Sequence, residues 1–252
     1  MYIAAGTLSL CFFASVVFCN ISFNNMQENR AVVAYNDGFL YNSLFIADRK
    51  NSLYIDMGGR KSGVSAIYKH GYCDLDCYVM TALSDEDETR LENALSKINI
   101  FAVYIPKESG EYRLSDRIKK LAKKRNCDII EYNKFINKNV GRASVEIKSD
   151  INNGIPSRFT AEINRDDKSI KLYSGLRSED KEDFGFNDAV ITTSDFTDPY
   201  TDIFCVYRCL KLSNNTPPES RAGAEKIYDF TESEYIRIEI TDKSVEVDTY
   251  EP

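Results

Sequence analysis

The stretch SLFIADRKNSLYIDMGGRKSGVSAIYKHGYCDLDCYVMTALSDEDETRLENALSKINIFAVYIP, residues 43–106, decides the fold. Its opening runs, LYNSLFIA (40–47) and SLYID (52–56), are rich in Leu, Phe, Tyr and Ile, with the turn signal Lys50-Asn51 between them. AVVAY (31–35) precedes them across Asn36-Asp37-Gly38, so three strands are expected in an antiparallel meander. Asp56-Met57-Gly58-Gly59 stops the third strand, since glycine permits positive φ. Residues 64–69 then read as a short helix and CYVM (77–80) as a buried strand. Over residues 85–98 the spacing predicts an amphipathic helix, with Leu91, Leu95 and Ile98 on one face and Asp85 and Glu88 at capping-box spacing. IFAVYI (100–105) is the next strand. A second helix places Leu114, Ile118 and Leu121 inward and ends in Lys123-Lys124-Arg125, where cations suit the helix dipole. DIIEY (128–132) follows as a strand.

Outward from this stretch the chain changes character. Strands are predicted at 143–149, 157–163, 169–174, 188–192, 203–208, 226–230, 234–240 and 243–247, with the polar run Ser213-Asn214-Asn215-Thr216-Pro217-Pro218 as an exposed loop. Strands, then β-α-β-α-β, then strands again implies two mixed sheets packed face to face with helices outside, an α/β fold of the αββα sandwich class.

The 252 residues carry 32 basic and 39 acidic side chains, a net charge of −7, with 43% hydrophobic residues. That is the composition of a globular domain with a core. It excludes collagen, a disordered tail, a disulfide-dense miniprotein and a many-span channel. The negative balance also argues against a dedicated nucleic-acid binder, which shows a strongly basic face.

The N-terminus is a separate unit. Residues 2–19 (YIAAGTLSLCFFASVVFC) run without a charge, and no polar face breaks the run. At about 1.5 Å per residue they suffice for one helix across a hydrocarbon core of roughly 30 Å. A cleaved signal peptide is the rival reading, but no basic n-region precedes the apolar run and the following residues make a poor cleavage site. The expected organisation is therefore a transmembrane anchor, 1–20, and a globular domain, 21–252. With Arg30 the first basic residue after the span, that domain is expected on the extracytoplasmic side of the cell membrane.

The order of elements, with Ile55-Asp56-Met57-Gly58-Gly59, then Val79-Met80-Thr81, then Val103-Tyr104-Ile105-Pro106, resembles the metallo-β-lactamase fold. More narrowly, it is similar to the C-terminal domain of ComEC-type competence proteins, the membrane channels of DNA uptake. In that family a strand ends in Asp-x-Gly-Gly, and after a helix the next strand runs into Thr-His-x-(His or Asp)-x-Asp-His. Farther on, Ser169 to Leu176 (SIKLYSGL) matches a strand ending in Thr-Gly-Asp. Asn187-Asp188-Ala189-Val190-Ile191 matches Ala-Asp-Val-Leu-Lys before His-His-Gly-Ser, and IYDFTESEYIRIEITDKSVEV (227–247) matches the final hairpin. The resemblance covers roughly residues 30–248 and implies an extracytoplasmic domain of the DNA-uptake machinery.

In the family the His/Asp cluster holds one or two divalent metals, which lower the pKa of a bound water for attack on a phosphodiester or amide. Here the motif reads Thr81-Ala82-Leu83-Ser84-Asp85-Glu86-Asp87. Ala82 and Ser84 replace two ligands, Glu86 stands for the family's Asp, and Asp87 for its last His. Leu176 replaces the bridging carboxylate, and the region of His-His-Gly-Ser reads Ser194-Asp195-Phe196-Thr197. The chain has a single histidine, His70, outside every ligand position. The resemblance thus implies a pseudoenzyme that has lost the family's metals, with Asp56, Ala82, Ser84, Glu86, Asp87, Leu176, Ser194 and Asp195 as vestigial positions. Partners are then the membrane and a competence channel or other membrane protein, and no small-molecule substrate is identifiable.

Other residues admit less. His70 suits the end of the first helix, as a surface or cap residue. Asp56 suits the geometry of the glycine turn, and Glu86 and Asp87 an acidic first helical turn. Those two could also hold one hard cation, which leaves a carboxylate-only hydrolase as a third reading. Cys73 and Cys77, with Cys205 and Cys209, read as buried cysteines before a disulfide or a zinc site; Cys127 has no evident partner. Lys119, Lys120, Lys123 and Lys124, with Arg117 and Arg125, form a cationic helix face that could meet a polyanion such as DNA. Tyr112 and Tyr200 near the eroded loops would suit a binding module that kept the scaffold.

Overall fold

Alternation of apolar and polar residues, strand after strand, builds two sheets. In the computed structural model the described residues are 30–36, 42–58, 63–107, 114–152, 155–174, 187–192, 201–206, 226–229, 235–241 and 243–250. The first half runs β1 (Arg30–Asn36), β2 (Asn42–Asp48), β3 (Asn51–Gly58), α1 (Gly63–His70, wound as a 3-10 helix), β4 (Asp74–Met80), α2 (Asp85–Lys97), β5 (Asn99–Pro106), α3 (Asp116–Lys124) and β6 (Asp128–Tyr132). The second half continues with β7 (Phe135–Val140), β8 (Ala143–Asn152), β9 (Ile155–Arg165), β10 (Lys168–Ser174), β11 (Asn187–Thr192), β12 (Thr201–Val206), β13 (Lys226–Asp229), β14 (Tyr235–Thr241) and β15 (Val245–Tyr250).

The first sheet has the order β15-β14-β1-β2-β3-β4-β5-β6, and the second β13-β12-β11-β10-β9-β8-β7. Each is antiparallel on one side and parallel on the other. β1, β2 and β3 form the expected meander; β3, β4, β5 and β6 are parallel. Parallel neighbours require crossovers, and α1, α2 and α3 supply them in the first sheet. In the second sheet β10 to β13 are also parallel, but their connections lie outside the described residues. Three of the four expected layers are therefore described: helices, sheet, sheet. The C-terminal hairpin β14-β15 joins the first sheet through β1, with Val33 opposite Ile238.

Alternation sorts the side chains into two cores. Leu44, Ile46, Leu53, Ile55, Val145, Ile147, Ile163, Ile170, Leu172 and Ile238 meet between the sheets. Phe45, Tyr54, Tyr78 and Val103 face instead the helices, which return Val64, Ile67, Leu91, Leu95 and Ile118. The central strand β3 is thus buried on both faces from Ser52 to Asp56.

β7 is the strand that the sequence pattern misses. Ile136 and Val140 face the inter-sheet core, but Lys138 lies between them on the same face and breaks the alternation. Its stem runs out along the sheet edge to set Nζ 4.7 Å from the centre of the Tyr104 ring, a cation–π contact. The other departures are local. Helix α2 is capped by Ser84, with Asp87 as the third helical residue, one position earlier than the Asp85/Glu88 pair that spacing suggests. Cys73 is exposed and Cys77 half-buried, both free thiols, so the expectation of two buried cysteines fails there; Cys127 is buried and free. Cys209 and the apolar run 2–19 lie outside the described residues. Among the described residues no helix is long and apolar enough to cross a membrane.

Candidate functional site

The carboxyl ends of β3 and β4, with the start of α2, form the edge where α/β sheets generally place their chemistry. Asp56 sits near the end of β3, and its backbone carbonyl ties the two strands by accepting from Thr81 N (3.1 Å) and Thr81 Oγ1 (2.9 Å). Its side chain is buried. Gly58 N donates to Oδ1 at 3.0 Å, with Gly58 at φ +119°, so the carboxylate closes the glycine turn as the sequence suggests. Tyr78 on β4 donates its hydroxyl to Oδ2 at 2.5 Å. Arg90, one turn into α2, lays Nε against both oxygens, at 3.1 and 3.0 Å.

Arg90 also reaches back along its helix, and its Nη2 donates to Asp87 Oδ1. The other Asp87 oxygen accepts from Ser84 Oγ at 2.6 Å, while Asp87 N donates to the same hydroxyl at 3.3 Å. Ser84 therefore caps α2, and its hydroxyl also donates to the carboxylate of Asp87. Asp56, Ser84 and Asp87 thus come together, three vestigial positions in one hydrogen-bonded set. Ala82 is half-buried in the short linker after β4, and Glu86 is exposed on the first turn of α2. Leu176, Ser194 and Asp195 lie outside the described residues, as do Tyr112 and Tyr200.

Burial governs the electrostatics. It pushes the Asp56 carboxyl up, against the opposing pull of Arg90, Tyr78 and Gly58. Tyr78 is held well above a normal phenol by burial and then by the Asp56 charge, and so is Tyr54, whose ring centre lies 5.2 Å from that of Tyr78. For Arg90 burial pulls down, but Asp56 and Asp87 outweigh it and its proton is held more tightly than usual. The set joins two carboxylates to a single guanidinium, with Tyr78, Ser84 and Gly58 N as further donors.

Sequence reading finds Asp56 and Asp87 but not Arg90, Tyr54 or Tyr78. A signal existed: Arg90 lies three residues after Asp87 and four before Ala94, on the stripe that Leu91 and Leu95 bury. Among the described residues no group of three or more His, Cys, Asp and Glu is placed to hold a metal ion. The guanidinium of Arg90 bridges the two carboxylates of Asp56 and Asp87. His70 ends α1, half-buried and stacked on Phe45 with ring centres 5.3 Å apart. Lys119, Lys120, Lys123 and Lys124 are exposed on α3, which docks on α2 through Glu88 Oε1 accepting from Ser115 N (2.6 Å) and through Arg117–Glu92 (3.0 Å).

No protein-family model matches the chain, and no curated protein is similar to it by sequence. Solved structures are similar to it in fold. The metallo-beta-lactamase fold protein YhfI from Bacillus subtilis superposes with a TM-score of 0.53 at 11% identity, over 79% of this chain and 96% of that one. The fold is metallo-β-lactamase-like. At that identity the likeness is one of fold. Further neighbours include a diphosphatase of the PhnP family (TM-score 0.42, 9% identity, 84% and 98% covered) and Zn(2+)-bound PqqB from Methylobacterium extorquens (0.44, 10%, 67% and 72%).

Proposed function

We propose that this chain is a non-hydrolytic, membrane-anchored domain on a metallo-β-lactamase-like scaffold, similar in role to the extracytoplasmic domain of ComEC-type DNA-uptake proteins. One observation carries the loss of hydrolysis: Ser84 and Asp87, at two of the expected ligand positions, are spent on each other in capping α2. A metal hydrolase needs those positions free to converge on an ion and its water. Ala82 offers no donor atom at all. The apolar run 2–19 supports the anchor and the extracytoplasmic placement, and the order of elements supports the relation to the competence domain. The partner on this reading is a competence channel or another membrane protein.

The test is elemental analysis of the full chain after dialysis without chelator, alongside a phosphodiesterase and nuclease assay with added Zn2+ and Mn2+. Zinc, manganese and iron well below one equivalent, with no metal-dependent turnover, are the expected results. Stoichiometric metal together with turnover lost in Glu86→Ala would overturn the reading. Alkaline carbonate extraction checks the anchor: the chain stays with membranes, and a chain lacking residues 1–20 does not.

A second reading, a binding module with a polyanion partner, draws on Lys119, Lys120, Lys123 and Lys124, exposed together on α3 in a chain of net charge −7. Binding to single-stranded DNA that weakens with salt and is lost on changing all four to Gln would favour it. DNA affinity unchanged by those substitutions, or no affinity, would rule it out.

A further inference from the structure

Building on the metallo-β-lactamase-like reading of this edge, we infer that Arg90 is its resident cation: the guanidinium bridges Asp56 and Asp87, so these two buried carboxylates need no metal and admit none. Two buried carboxylates, one ending a strand and one starting a helix, cannot both stay ionised in a dry environment without a counter-charge. Arg90 supplies it through Nε to both oxygens of Asp56 and Nη2 to Asp87.

The carboxylate oxygens are also fully engaged. Asp56 accepts in addition from Gly58 N and Tyr78 OH, and Asp87 from Ser84 Oγ. A magnesium- or manganese-sized ion needs such oxygens directed at it from about 2.0–2.2 Å. Every one of these four already accepts a hydrogen bond from a group on the protein. A divalent ion would also have to approach a buried guanidinium, which repels it at short range in a medium that screens poorly. Arg90 has a structural consequence too: it binds the start of α2 to the end of β3 across the first sheet.

The experiment compares urea unfolding of the full chain with and without millimolar Mn2+ for the wild type, Arg90→Gln and Arg90→Gln/Asp87→Asn. The wild-type midpoint should not move with Mn2+. Arg90→Gln should unfold at lower urea, recover part of the loss in Mn2+, and lose that recovery when Asp87→Asn is added. Arg90→Gln as stable as the wild type would overturn the assignment, and so would a wild-type midpoint raised by Mn2+ in a manner that Asp87→Asn abolishes. If Arg90→Gln does not fold, or Mn2+ restores nothing, Asp56→Asn/Asp87→Asn/Arg90→Gln decides. Recovery of stability in that uncharged set supports the resident cation, and no recovery refutes it. Mn2+ bound by the wild type and indifferent to Asp87→Asn would count against the non-hydrolytic reading above, while the Arg90→Gln comparison would still decide this one.

Discussion

At the scale of single residues, protons are held where burial forbids charge. Burial, with a smaller contribution from the Asp128 charge, pushes the Cys127 thiol up to about 11 from its ordinary 9.0. Burial likewise raises Tyr54, Tyr78 and Tyr132, the last donating its hydroxyl to the Met80 carbonyl at 2.8 Å. All four are neutral when protonated, so the folded chain keeps protons that the unfolded chain releases in alkali. Their contribution to stability is complete below pH 9 and is lost as pH rises; for Cys127 the window runs from 9.0 to about 11. Tyrosinate absorbance should therefore rise in two stages, with at least three of the 16 tyrosines ionising only as the fold gives way. A single smooth titration would contradict this. Alkylation at mildly alkaline pH, followed by peptide mass analysis, should label exposed Cys73 well before buried Cys127.

At the scale of elements, α2 is where the chemistry suggested by family resemblance meets the physics of helix ends. The acidic run 85–88 reads as a helix start, and so it is, but Asp85 and Glu88 are not the capping pair. Ser84 caps because its extended backbone (φ −141°, ψ 174°) turns its hydroxyl onto Asp87 N, and Glu88 is drawn away to Ser115 N at the start of α3. Spacing alone cannot separate the two pairs, since both have carboxylates three residues on. Ser84→Ala should cost about 1 kcal/mol in urea unfolding, the usual worth of an N-cap, with Ser84→Thr, which keeps the hydroxyl, near neutral. A loss much beyond this, or none, would mean that Ser84 does something other than cap. The α/β order of 43–132 was legible because each element there carries an unbroken apolar stripe or run. β7 was not, because Lys138 reaches an aromatic ring from a core-facing position, and the role of Arg90 was not, because its partner Asp56 lies on β3, remote in sequence.

At the scale of the whole molecule, the far end of the sandwich is fastened by a second buried charge pair that no sequence pattern marks. Asp48 ends β2 in the first sheet and Arg165 ends β9 in the second; both side chains are 0% exposed, and Nε lies 3.5 Å from Oδ2. Arg165 Nη1 donates to the Ile240 carbonyl on β14 at 3.0 Å, while Asp48 Oδ2 accepts from Arg142 N at 2.7 Å, in the turn between β7 and β8. One pair thus ties both sheets and the C-terminal hairpin together. The turn is built around it: Gly141 has φ +62°, and a Cβ there would come within 2.6 Å of the Asp48 carbonyl oxygen. Gly141→Ala should cost about 2–4 kcal/mol, left-handed strain and overpacking acting together. The pair itself calls for a double-mutant cycle, because removing one buried charge strands the other. Arg165→Met alone should lose about 3–5 kcal/mol, whereas Arg165→Met with Asp48→Asn should recover most of it. Additive losses in the cycle would mean that the two side chains act separately and that hydrophobic burial alone holds the sheets together. A double variant more stable than Arg165→Met would mean that most of the single variant's loss is the stranded Asp48 charge.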